Sequence, residues 1–248
     1  MPRPQDFRTF QYQVSLWIEG HELTTRDLMR LTVGPWARLL DGDTVTLPDV
    51  PGIPPEIPRL NLSSSDRRWK LQAATRRLNL FWERVDDGDT LEPGLFLKAV
   101  PEIVRPFIET SASLSVNRLA YVVRRFAPAA APAKELALYF ARTELLSGPL
   151  NRPSDFELHA HKVYTPEGFE PVNSWIRWKT AHLLSNQEPG ILAEQDLNTL
   201  AERDRKESFS QEVVQTFFSV ASREAESILK FYLSFQPNGS HPADAKRY

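Results

Sequence analysis

From residue 208 to residue 235 the chain sets Phe209, Val213, Phe217, Ala221, Ile228 and Tyr232, with several apolar companions, at intervals of three and four, which makes one unbroken apolar stripe along a long helix. Such a stripe is too narrow to be a core by itself, and it needs a broad apolar partner. Ser208 and Gln211 stand at capping-box spacing and mark its expected start.

The partner that the remaining sequence supplies is a β-sheet. Residues 10–18 alternate apolar and polar, the period of a strand with one buried face. Residues 60–63, 69–73 and 77–85 continue in the same way, with Leu78, Leu80 and Trp82 on one face and Trp69 and Leu71 on one face of their own strand. Residues 114–126 are apolar at both parities, as an interior strand requires. Three further runs, 156–164, 172–183 and 191–200, are separated by Pro166-Glu167-Gly168 and Glu188-Pro189-Gly190 and predict a three-strand antiparallel meander. Helical spacing recurs at 24–40, with a break at Gly34-Pro35, at 93–110, where Pro101 and Pro106 predict a kink or break, and at 132–145. The expected class is therefore α+β, an antiparallel sheet or sheets covered by long helices.

Prolines at 48, 51, 54, 55 and 58 predict an extended surface connection over 41–58, and the alanine-proline run 127–133 has the composition of a short linker. A single domain over 1–236 is expected, with pseudo-halves at about 1–127 and 134–236, each closing on a helix. That order hints at a duplicated strand-strand-strand-helix unit, although no sequence repeat is visible. Residues 237–248 lack apolar periodicity and are expected to be a mobile tail.

The chain has no cysteine, which removes disulfides, thiolate metal sites and a cysteine nucleophile together. Its start lacks an apolar signal-like run and no stretch is long and apolar enough for a bilayer helix, so the expected location is the cytoplasm, without a membrane partner. A net charge of −2 gives the molecule as a whole no attraction for nucleic acid, so any such binding must come from a local patch. There is no Gly-x-Ser-x-Gly elbow, phosphate-loop motif or Gly-x-Gly-x-x-Gly, and no cofactor is implied.

The runs Arg59-Leu-Asn-Leu-Ser-Ser-Ser-Asp-Arg-Arg-Trp-Lys-Leu-Gln, Leu78-Asn-Leu-Phe-Trp and Val116-Asn-Arg-Leu-Ala-Tyr-Val-Val-Arg-Arg-Phe, with the closing Phe217-Phe, Ile228 and Tyr232, resemble a sporadically distributed bacterial family of about this length with no assigned activity. The pattern is not placed over the first 58 residues and is atypical at 127–133. The resemblance implies a shared α+β fold and the scattered occurrence common among phage-defence and toxin–antitoxin-like modules; it implies no site residues.

Three constellations carry chemistry. Trp175, Arg177 and Trp178 make an aromatic-basic strand of the kind that anchors protein interfaces, although core packing is the expected fate of at least one of the tryptophans. Arg67, Arg68, Trp69, Lys70, Arg76 and Arg77 concentrate cations and an aromatic in one hairpin, as single-stranded nucleic acid binding needs, whereas the acids at 86, 87, 89 and 92 fit an ordinary solvated face equally well. His159, His161 and His182, with Glu194 and Asp196 on the following strand, have the composition of a catalytic metal set; with Leu158 and Ala160 facing the core, the first two histidines are equally ordinary surface residues. The leading expectation is a non-catalytic protein-binding component of a bacterial defence or toxin–antitoxin-like module. A nucleic-acid-binding protein and a metal-dependent hydrolase or nuclease are the alternatives.

Overall fold

The computed structural model describes the chain apart from residues 20–21, 25–26, 28, 30–34, 49–51, 87, 110–114, 149–150, 184–185, 201–207 and 235–248. The expected tail at 237–248 and residues 25–26, 28 and 30–34 of the helical run at 24–40 lie outside the described residues. Among the described residues nine strands, β1 (Arg8–Glu19), β2 (Thr44–Thr46), β3 (Leu60–Ser63), β4 (Trp69–Ala73), β5 (Arg77–Glu83), β6 (Ser115–Pro128), β7 (Glu157–Tyr164), β8 (Val172–His182) and β9 (Pro189–Thr199), form one sheet in the order β2-β3-β4-β5-β1-β6-β9-β8-β7. Every neighbouring pair is antiparallel, and the class is α+β. Outward from β1 the order is β5, β4, β3; outward from β6 it is β9, β8, β7.

Strand alternation decides which face is covered. In β1 the side chains of Tyr12, Val14, Leu16 and Ile18 are buried on one face, and Gln11, Gln13 and Trp17 alternate with them on the other. All the longer described helices pack on the first face. Phe96 of α1 (Pro93–Glu109) stacks on Tyr12 at 5.2 Å between ring centroids, and Phe217 and Phe218 of α4 (Gln211–Leu233) enter the same cluster. Leu136 of α2 (Pro132–Phe140) joins Ile176 and Trp178 in a second cluster nearer β8, and α3 (Thr143–Leu146) follows at once. The alanine-proline run is thus no spacer between bodies: Ala127 is buried in β6, Ala133 is buried in α2, and the sheet runs across the junction without interruption.

The boundaries depart from the sequence expectation where tertiary contacts intervene. Thr44-Val45-Thr46, read as part of the proline connection, adds a short edge strand to β3, because β-branched residues suit a ladder once a neighbour is present. The side chain of Arg59 holds the proline segment by donating to the carbonyls of Pro48 and Ile53 at 3.5 and 3.3 Å. α1 runs from Pro93 to Glu109 as one helix despite Pro101 and Pro106, whereas the run at 132–145 divides where Ala141 turns extended. Pro189 and Gly190 belong to β9 and not to the turn before it: proline fits the first position of a strand, and Gly190 lies under the ring of Phe126, in space that a Cβ would occupy.

The start of α4 also moves. Ser210 is its cap, its Oγ accepting from the Val213 N–H at 3.3 Å, whereas Ser208 Oγ accepts from the Val116 N–H at 3.0 Å and ties the entering chain to β6. Ser210→Ala is expected to cost about 1 kcal/mol. A shift of the urea midpoint at unchanged slope is the check.

Candidate functional site

The sheet face turned away from the helices is ordered in rows, because antiparallel register places directly paired residues on the same side. One row reads Glu83, Gln11, Arg124, Glu194, Arg177, His159 across six strands. The next reads Phe81, Gln13, Val122, Asp196, Trp175, His161, and the one after it Asn79, Ser15, Ala120, Asn198, Asn173. Arg77, Trp17 and Arg118 close the series. Ser15, Asn79 and Asn198 are buried, so the middle of the face is overhung, whereas His159 and His161 at the β7 side are exposed and Trp175 and Arg177 half-exposed.

The first row is a chain of charge-assisted bonds. Gln11 donates to Glu83 at 2.7 Å; Arg124 donates to Gln11 and to Glu194 Oε2; Arg177 donates to Glu194 Oε1 at 2.5 Å. Burial alone would raise the Glu194 carboxyl, but the Arg124 and Arg177 guanidiniums overcome it and hold the group below its ordinary value. Glu194 is therefore a neutralised strut.

Asp196 is the opposite case. Burial pushes its carboxyl up, and its described hydrogen bond is from Asn198 Nδ2 at 3.1 Å. Arg177 is held by Glu194, and Arg118 lies 4.6 Å over the Trp17 ring while donating to Asn198 Oδ1 at 3.3 Å, so neither bonds the Asp196 carboxylate. A carboxyl whose folded-state pKa lies above its unfolded value favours the fold while protonated, and that contribution is lost as pH rises through the folded value. At neutral pH Asp196 is a burden on stability. Asp196→Asn keeps the shape and is expected to raise the urea midpoint at pH 7, with the gain shrinking as the pH falls into the carboxylate range; equal midpoints at pH 7 would contradict the assignment.

Beside Asp196, the Trp175 indole is held on two sides. His161 stacks on it at 4.1 Å and an interplanar angle of 18°, and the Arg177 Cζ lies 5.3 Å from its centroid. A large aromatic fixed in advance loses little conformational freedom when it is covered by a partner.

Of the three residues expected at a protein interface, Trp175 and Arg177 lie together on this face. Trp178 does not: residues three apart on a strand point to opposite sides, and Trp178 is fully buried among Phe7, Phe140 and Tyr232. The cationic hairpin does not gather into a patch. Arg67 and Arg68 sit at the β3–β4 turn and Arg76 and Arg77 at the other end of β4, with Trp69 stacked on Phe96 on the helix side at 5.8 Å. Arg68 is held by Asp66 and, through two bonds, by Asp89; Arg76 pairs with Glu22 at 2.8 Å; Arg77 donates to the Glu56 carbonyl; Lys70 lies across from Phe81. Arg68 accordingly holds the Asp89 carboxyl well below its ordinary value.

The histidines also separate. His159 and His161 share the open face, opposite Arg177 and Trp175, but His182 lies five residues beyond Arg177 in a continuous register and points to the other side. Five residues along a strand is roughly 16 Å. Among the described residues no group of three His, Asp or Glu side chains is placed to hold a metal ion. Among them, too, no helix is long and apolar enough to cross a membrane. The alignment of Trp17, Gln13 and Arg118 with Asp196 was not read from the sequence, because it depends on the order β1-β6-β9, which no local pattern encodes.

No protein-family model matches the chain, and no curated protein matches it.

Proposed function

We propose that this chain is a non-catalytic binding protein that holds another protein on the sheet face opposite the described helices, around Trp175 and Arg177. The observation that carries the reading is the Trp175 indole, turned outward between His161 and Arg177. Asp196 next to it supports the same reading: a carboxylate kept on the face at a cost to the fold is better explained by something it meets than by stability. The scattered distribution implied by the family resemblance favours a cytoplasmic component of a bacterial phage-defence or toxin–antitoxin-like module, with the partner encoded nearby. The matching order of strands outward from β1 and β6 supports descent from a duplicated unit, which would have given the sheet its breadth.

The test is co-expression of the tagged chain with the products of its neighbouring genes, for the wild type and for Trp175→Ala. A stoichiometric partner is expected to co-elute with the wild type and to bind the variant about 30-fold more weakly, the loss of a central hot spot of about 2 kcal/mol. A chain that elutes alone, or a partner retained equally by the variant, overturns the reading.

A further inference from the structure

The two edges of the sheet differ. β2 is three residues long, wholly exposed, and runs towards the proline segment held by Arg59, which is one way that proteins blunt an edge. At the other edge, β7 has eight residues, no glycine or proline, and an uninterrupted register of eight pairs with β8. Val163 at its far end is 54% exposed. Among the described residues β8 is its only paired neighbour, so one side of its backbone has no described ladder.

From this asymmetry we propose that β7 pairs antiparallel with β7 of a second copy of this chain, in a register centred on His161. A two-fold axis normal to the sheet keeps each face on its own side, so only registers centred on a residue are allowed. Two such registers use seven of the eight residues. Centred on Ala160, Leu158 meets Lys162 and Glu157 meets Val163, each pair setting a charge against an apolar chain. Centred on His161, Leu158 meets Tyr164, His159 covers Val163, and Lys162 meets the small Ala160, which leaves room for its ammonium to stay 4.0 Å over its own Tyr164 ring. The second register is complementary to itself. It continues the antiparallel order into a single sheet of two nine-stranded halves and sets the two Trp175 clusters about 14 Å apart, three strand spacings, on one shared face.

The absence of cysteine from the chain makes the register directly testable. In His161→Cys the new thiol faces its own copy across the axis, within about 5 Å between Cβ atoms, and mild oxidation is expected to give a disulfide-linked dimer. In His159→Cys the equivalent thiols are about 13 Å apart and are expected to stay reduced. Sedimentation velocity at about 100 μM, enough to populate a dimer of micromolar affinity, is expected to show a dimer for the wild type and for Trp175→Ala. For His161→Glu, which opposes two carboxylates on the axis, it is expected to show a folded monomer with an unchanged circular-dichroism spectrum. A monomeric wild type, a dimer that survives His161→Glu, or equal cross-linking at 159 and 161 overturns the proposal. The Trp175→Ala arm separates this outcome from the fate of the partner-binding reading, since that variant loses the partner and keeps the dimer.

Discussion

Trp178→Ala is expected to lower the unfolding free energy by about 3–5 kcal/mol, whereas Trp175→Ala, three residues away on the same strand, is expected to change it by less than about 1 kcal/mol. The difference follows from what each ring touches. Trp178 is fully buried, with ring centroids 5.6, 5.7 and 5.9 Å from Phe7, Phe140 and Tyr232, so it joins the start of the chain, α2 and the end of α4 to β8. Removing it opens a cavity between layers that cannot all collapse together. Its Nε1 has no described partner, so no hydrogen bond is lost, and Trp178→Phe is expected to keep well over half of the stability lost by the alanine variant. Trp175 touches His161 and Arg177 on a face with no described helix above it, and it leaves only those side chains to rearrange. Urea unfolding followed by far-ultraviolet circular dichroism separates the two; similar losses at both positions would falsify the division into a packed face and a binding face.

The same pair shows what was legible in advance. Core packing of at least one tryptophan is expected from the size of the ring alone, and strand parity, which puts Trp175 with Arg177 and sends Trp178 to the other side, decides which one it is. Local period also located most of the strands, because apolar alternation in 10–18 or 77–85 is a property of the segment itself. What local pattern could not supply was order. Arg124 meets Gln11 and Glu194 from positions 113 and 70 residues away, and the rows of the open face exist only once β1 and β6 lie side by side at the centre. The cationic hairpin shows a related effect: its arginines are close in sequence, but Arg67 and Arg68 lie at one end of β4 and Arg76 and Arg77 at the other, and the acids that pair with Arg68 and Arg76 come from the same turn, the next turn and Glu22. The helix start shows the smallest such effect. Ser208 and Ser210 are equivalent by local chemistry, and the Val116 amide of a distant strand engages the first and leaves the second to cap.

Arg125→Met is expected to cost about 3 kcal/mol, for reasons that concern the covered face. Arg125 is 3% exposed on β6 and donates to Gln195 Oε1 on β9 and to Glu226 on α4; Gln195, fully buried, donates in turn to the Ala225 carbonyl at 2.6 Å. This polar pin sits inside an otherwise apolar layer and fixes where α4 crosses the sheet. Methionine fills much of the arginine volume but leaves Gln195 Oε1 without a donor where water does not reach, and that orphan carries most of the loss. The Glu226 side chain is 42% exposed and can turn to solvent, so Glu226→Ala is expected to cost no more than about 1 kcal/mol. Gln195→Leu alone leaves Arg125 Nη1 without its acceptor, while Glu226 still holds Nη2, and removes the tie from β9 to the Ala225 carbonyl, so its cost is expected to approach that of Arg125→Met. In the double variant Arg125→Met with Gln195→Leu, the guanidinium and the Gln195 amide disappear together, so the combined loss is expected to fall short of the sum of the single losses by more than about 1 kcal/mol. Strict additivity in that cycle would mean that the two side chains act separately, and the position of α4 would then have to be explained by its apolar stripe alone.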